Sequence, residues 1–278
     1  MSLRVGPASF WFGSDLSFIE VACLKSFVNV GQPFVLYTYG NVGNIPEGVT
    51  VKDASEILPE SAVFKNKERE SYAPFSDYFR YKMLQQTPYF WVDTDAMALA
   101  PFPTDEPYFF APHNHIINNA ILALPPDCPV LDDLIEACER PHAALPWLRR
   151  PARERLQSMG DQFDASDLPY KALGPLALSW LLEHYGLREK ATPQPVLYPY
   201  EPRHIMAPNR RMERKLPSQA ISIHLYSSAV RRKLTNAGIG VPPEGTFLHH
   251  LCVAQGVSPA NYPFLVPSKA TDQVTKVA

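Results

Sequence analysis

The stretch Tyr89-Phe90-Trp91-Val92-Asp93-Thr94-Asp95 decides how this sequence is read. Four consecutive apolar side chains bounded by Pro88 are too few for a helix and read as a buried strand, which runs straight into two carboxylates one residue apart. Alternate residues of an extended chain point the same way, so Asp93 and Asp95 project together from the strand's end. There they can present oxygen to a hard divalent cation and leave coordination positions for phosphate oxygens. A turn after a strand also favours Asp, so the bare pair has a structural reading as well. Its context adds weight. Two charges beside a low-dielectric strand are costly unless a cation or hydrogen-bond donors meet them.

Working outward, Pro74 followed by Phe75, Phe79 and Met83 at spacing four predicts a helix from Pro74 to Gln85, with Asp77, Arg80 and Leu84 on another of its faces. Before it, Ser9-Phe10-Trp11-Phe12 reads as a strand ending at Gly13. Ser17-x-x-Glu20 reads as the capping box of a helix that carries Ile19, Cys23 and Phe27 and is closed by Gly31. Phe34 to Tyr39 and the shorter Gly48 to Val51 follow as strands. This β-α-β opening favours a parallel sheet with a ligand crevice at the carboxyl ends of its strands. Downstream, Asn119 to Leu124 reads as a strand, Pro129 to Glu139 and Leu176 to Tyr185 as helices, and Ala220 to Tyr226 as a late strand. Residues 141–167 carry little pattern apart from the basic cluster Arg149, Arg150, Arg153 and Arg155, a helix face or a mobile insertion. Nothing repeats and no linker divides the chain, so the expectation is a single α/β domain over 1–267 and a polar, frayed tail over 268–278.

Composition narrows the partners. Of 278 residues, 46% are hydrophobic and 19% charged, enough to bury a full core, and 29 prolines imply many loops around it. Lys and Arg total 26 against 28 Asp and Glu, a net charge of -2 that gives no electrostatic footprint for nucleic acid. No apolar run approaches the roughly 18 to 20 residues that span a bilayer, and the start lacks the apolar stretch of a signal peptide. The expectation is a cytoplasmic, bacterial protein that visits a membrane through partners. Cys23, Cys128, Cys138 and Cys252 are scattered, without Cys-x-x-Cys, and read as buried or free thiols.

Taken together, Ser76-Asp77-Tyr78-Phe79-Arg80-Tyr81-Lys82-Met83-Leu84, eight further residues and Asp93-Thr94-Asp95 resemble a known pattern. It is the Ser-Asp-x-x-Arg-Tyr-x-x-Leu and Asp-x-Asp pair of a GT-A glycosyltransferase group. That group includes yeast-type initiation mannosyltransferases, α-1,4-glycosyltransferases of glycolipid synthesis and clostridial glucosylating toxins. Weaker echoes are Trp11, Glu20, Ser26-Phe27, Asn118-Asn119, Gly174-Pro175 and Ile223-His224-Leu225-Tyr226. The chain departs from the group where Gln86-Thr87-Pro88 replaces a Gly-Gly and where Tyr226 stands in place of Trp in His-x-Trp.

The resemblance implies a GT-A fold with a mainly parallel central sheet flanked by helices. It also implies transfer of a sugar from a nucleoside diphosphate donor, a UDP-sugar, to an acceptor hydroxyl on a glycan, lipid or protein, with retention and with Mn²⁺ or Mg²⁺. Asp95 would bind the metal directly, and Asp93 the ribose or the metal through water. Asp77 and Arg80 would hold donor-sugar hydroxyls, and His224, or Ser227 or Ser228 after it, would complete the metal and diphosphate shell. Trp11 would stack on uracil, and Asn118 and Asn119 would contact sugar. Each has a structural alternative: a helix-start acid for Asp77, a surface ion pair for Arg80, a core histidine, a core aromatic and a turn. Arg210, Arg211, Arg214, Lys215, Arg231, Arg232 and Lys233 read as a solvated face, and His249-His250 as structural. Two other functions stay open. One is a non-catalytic sugar-nucleotide-binding protein. The other is a phosphatase with an aspartate nucleophile, for which Met97 stands where Thr or Val belongs.

Overall fold

In the computed structural model, residues 4–160 and 162–265 are described, and the expected tail over 268–278 lies outside them. The β-α-β opening is strand β1 (Gly6–Trp11), helix α1 (Phe18–Asn29), strand β2 (Phe34–Thr38) and strand β3 (Val49–Asp53). Helix α2 (Ala73–Gln86) then leads into β4 (Tyr89–Val92), and the Asp-x-Asp segment turns directly into β5 (Ala96–Ala98). A hairpin of β6 (Phe109–His113) and β7 (Ile116–Ala123) follows, then α3 (Pro129–Glu139), α4 (Arg150–Ser158) and α5 (Ala177–His184). Short helices α6 (Gln194–Leu197), α7 (Pro202–Ile205) and α8 (Asn209–Glu213) precede β8 (Ser222–His224), α9 (Ser227–Asn236) and α10 (Phe247–Ala254).

The main sheet has six strands in the order β3-β2-β1-β4-β7-β6. β1 pairs in parallel with both β2 and β4, and β3 with β2, while β7 runs antiparallel to β4 and β6 antiparallel to β7. The fold is therefore mixed α/β with a mostly parallel central sheet flanked by helices. After β3 the chain crosses to the other side of β1, which makes the β1/β4 boundary the topological switch point, where open α/β sheets leave a crevice at their carboxyl ends.

Strand alternation divides the core between the sheet's faces. Phe34, Leu36, Phe90 and Val92 pack with α1, α9 and α10, whereas Val35, Tyr37 and Trp91 pack with α2, α3 and α5. The near-continuous apolar strands follow from this cover on both sides. All four cysteines are free and buried. No helix of the described residues is long and apolar enough to cross a membrane.

Several elements differ from the sequence expectation. The late strand is cut to Ser222–His224 because Tyr226 turns left-handed, with φ of 53°, and α9 starts at once. Its partner β5, of three residues, is too short to show a period, and Pro112 interrupts the β6 half of the hairpin. Within 141–167, the Arg cluster begins at the N-cap of α4 and runs along it: Arg150 pairs with Glu154 at 2.7 Å on the exposed side, half-buried Arg153 donates to the Leu148 carbonyl, and Leu156 supplies the buried contact. Gly174-Pro175 lies inside a wide turn, Ala172–Leu176, and does not open the helix directly.

The α1 capping box forms, with the Ser17 N–H donating to Glu20 Oε2 at 3.0 Å. Glu20 also accepts from Arg231 of α9 at 2.8 Å and from the Ser17 hydroxyl at 2.7 Å, although the glutamate is only 1% exposed. Arg231 thus leaves the solvated basic run and locks α9 to the start of α1. Removing one partner of a buried pair strands the other. Glu20→Ala is expected to lower unfolding free energy by about 3 kcal/mol in urea titrations, while Lys233→Ala, on the exposed side of α9, changes it by less than about 0.5 kcal/mol.

Candidate functional site

A cleft of about 620 Å³ opens at the switch point, and Trp11, Asp77, Arg80, Asp93, Asp95, Asn118, Asn119, His224, Ser227 and Ser228 all line it. They arrive from separate parts of the chain: Trp11 from the end of β1, Asp77 and Arg80 from the first turns of α2, and the acidic pair from the end of β4. His224 and the serines come from the β8 to α9 junction.

Arg80 organises the centre. Its side chain is 4% exposed, and it donates to Asp93 Oδ1 at 3.0 Å, lies 3.5 Å from Asp77 Oδ1 and donates to the Asn119 carbonyl. Its guanidinium sits 4.6 Å from the centre of the Trp91 ring, a cation–π contact. Burial disfavours its charge, but Asp93 and Asp77 outweigh that and raise its pKa. The surface ion-pair alternative for Arg80 therefore does not describe it.

Asp77 is 7% exposed and accepts from the Asn119 amide at 2.8 Å. A Cβ on Gly174 would come within 2.5 Å of Asp77 Oδ2, so the glycine is what lets the wide turn close over this carboxylate. Burial pushes the Asp77 carboxyl up to about 6, against the lowering pull of Arg80 and the Asn119 hydrogen bond. Asn119 meets the cleft through Asp77 and Arg80. The Asn118 side-chain oxygen accepts from the Ala120 N–H at 2.9 Å.

Asp95 is 8% exposed and held at both oxygens. Oδ1 lies 3.1 Å from His224 Nε2, and Oδ2 accepts from the Ser227 N–H at 2.7 Å. Burial works against charge on both Asp95 and His224. Their mutual attraction wins, holding the carboxyl well below the usual range and the imidazole above its own. The N-terminus of α9 adds a favourable dipole at Asp95 and at any anion beside it.

One ligand atom from each of Asp93, Asp95 and His224 lies within 4.8 Å of the others. Two carboxylates and an imidazole are a donor set for a divalent cation. His224 Nδ1 is buried without a partner, unlike a satisfied core histidine. Asp93, Asp95 and His224 thus fit a divalent cation. Trp11 stands half-buried at the cleft wall with its Nε1–H donating to Ser14 O at 2.7 Å, leaving its ring face for contact. Tyr226 packs on His224 at 4.2 Å between ring centres and supplies an aromatic wall.

Several lining residues carry no signal in the sequence analysis, among them Trp91, Ser9 and Lys171. Trp91 shares its strand face with Asp93 by period-two alternation, a signal masked by its apolar neighbours. Ser9 lines the cleft from β1 with a buried hydroxyl lacking a partner among the described residues. Lys171 borders the cleft from the turn before Gly174, a place with no local pattern. His250 lies 3.0 Å from Glu213 on the surface, away from the cleft. Met97, fully buried, brings no hydroxyl to the site.

No family model and no curated protein sequence matches this chain. A solved structure described as "PaToxG Glycosyltransferase" is similar over 66% of this chain and 69% of that chain, with 13% identity and a TM-score of 0.44. At that level of likeness the weight falls on the cleft's own residues.

Because its pKa is raised on folding, Asp77 supports the native state fully below about pH 4, and that support fades as pH rises toward 6. Asp77→Asn removes the loss. The stability difference between Asp77→Asn and the parent should shift in the variant's favour by about 2 kcal/mol between pH 4.5 and 7.5, read by urea denaturation at the two pH values.

Proposed function

We propose that this chain is a metal-dependent glycosyltransferase that moves a sugar from a nucleoside diphosphate, a UDP-sugar, to an acceptor hydroxyl with retention at the anomeric carbon. The supporting observation is the single cleft at the sheet's switch point. It gathers an Asp-Asp-His cation site, a buried Asp77–Arg80 pair and the N-terminus of α9 within one cavity. The UDP carrier and retention rest on the resemblance carried by Ser76 to Leu84 with Asp93-Thr94-Asp95. The acceptor is a glycan, lipid or protein hydroxyl.

Each residue's part follows from its environment. Asp77, held by Asn119 and Arg80, accepts a hydrogen bond from a sugar hydroxyl, and Arg80 offers the other edge of the same pair as donor. Fixing the hexose this way places its anomeric carbon for attack without further reorganisation. The Ser227 and Ser228 end of α9 faces the diphosphate with the positive end of the helix dipole. Asp93, Asp95 and His224 would hold Mn²⁺ or Mg²⁺, whose charge, when bound, stabilises the negative charge that grows on the leaving diphosphate. Lys171 at the rim adds a protein cation to that region. Trp11 takes the uracil ring by stacking.

A thermal-shift screen of UDP- and GDP-sugars with and without Mn²⁺ tests the proposal, since a ligand of the native state raises its apparent stability. A UDP-sugar is expected to raise Tm only with Mn²⁺, and Asp95→Asn is expected to abolish that shift and to reduce UDP-sugar hydrolysis at least about 100-fold. Binding without any turnover, under all acceptors tried, would leave a sugar-nucleotide-binding protein. No shift with any nucleotide sugar and any divalent ion would remove both readings.

A further inference from the structure

Trp91 is 1% exposed, yet it borders the cleft, and its indole does more than fill the core. Its Nε1–H donates to Asp93 Oδ1 at 2.6 Å. The Arg80 guanidinium donates to the same oxygen at 3.0 Å and rests over the indole ring, 4.6 Å from its centre. A carboxylate oxygen offers about two lone-pair positions, and on Oδ1 both are taken. Asp93 Oδ2 has no hydrogen-bond partner among the described residues.

We propose that Trp91 is a positioning residue of the donor site: with Arg80 it saturates one oxygen of Asp93 and turns the other into the cleft, so that Asp93 meets a divalent cation through Oδ2 alone. This rests on the reading of the cleft as a metal and nucleotide-sugar site. The reason is rotational. The terminal torsion of Asp is broad, and the Asp93 side chain is 28% exposed, so nothing in its own packing fixes which oxygen faces out. A buried indole N–H needs an acceptor and does not move, and it therefore sets the carboxylate plane.

Without that donor, Asp93 is free to swing both oxygens onto Arg80 as a two-pronged ion pair. Its charge is then spent on the guanidinium, and the cation site loses a ligand. The same swing withdraws Arg80 from Asp77, so metal binding and sugar recognition are linked through one indole hydrogen bond.

The test replaces Trp91 by 3-benzothienylalanine, in which sulfur stands at the N–H position and the ring's size is kept, alongside Trp91→Phe. Free Mn²⁺ is followed by electron paramagnetic resonance in titrations of the protein with the metal alone and with UDP added. The sulfur isostere is expected to bind Mn²⁺ roughly tenfold more weakly, the scale on which partners of metal ligands act. Its unfolding midpoint in urea should stay at that of the parent. In an Asp93→Asn background the isostere should cause no further loss, because the two changes remove one interaction. Unchanged Mn²⁺ affinity in the isostere, or losses that simply add in the Asp93→Asn background, would overturn the assignment of Trp91. A parent protein that binds no Mn²⁺, with or without UDP, would overturn the metal reading itself and this inference with it.

Discussion

A guanidinium buried between two carboxylates and a backbone carbonyl is the constraint on which the rest of the cleft depends. Arg80 is almost wholly shielded from solvent, and its charge is tolerable there only because Asp93, Asp77 and the Asn119 carbonyl surround it. In return it fixes the two acids that flank the cavity. Removing Arg80 would leave two carboxylates without their cation, so the network behaves as a unit. One of its atoms, Arg80 Nε, is buried without a partner, the kind of under-satisfied donor that accumulates where a site keeps capacity for a ligand.

The fold makes this arrangement rigid. α2 packs on the β4 face and ends just before β4 begins, so Asp77, Arg80, Trp91 and Asp93 are held by one helix and the strand it feeds. The far end of the chain then closes the site. β8 pairs antiparallel with β5, setting His224 opposite Ala96, and the left-handed Tyr226 aims the first N–H of α9 at Asp95. The Glu20–Arg231 pair ties the same helix to α1. A two-stranded sheet with few residues thereby carries a disproportionate share of the geometry.

Electrostatics pull neighbouring carboxyls in opposite directions. Asp77, enclosed by Gly174 and the core, is pushed up to about 6, while Asp95, facing the His224 imidazole and a helix N-terminus, is held low. Two acids lining one cleft are thus held in different electrostatic environments.

The sequence by itself determined the elements whose pattern is long or strongly punctuated. The β-α-β opening, the α2 helix with its Asp77 and Arg80 face, the β4 strand running into Asp93 and Asp95, and α3 from Pro129 to Glu139 were legible because local periodicity and proline reveal which face must be buried. The tertiary structure alone decided that β5 pairs with β8, that β6 and β7 form a hairpin, that the basic cluster after residue 149 is a helix face, and that Arg231 is bound to Glu20. It also decided the partners within the cleft: His224 with Asp95 across 129 positions, Asn119 with Asp77, and Trp91 with Asp93. Periodicity says on which face of its own helix or strand a residue lies and nothing about which distant element it meets. That choice is made by burial and charge pairing, which act only once the intervening chain has been closed into place.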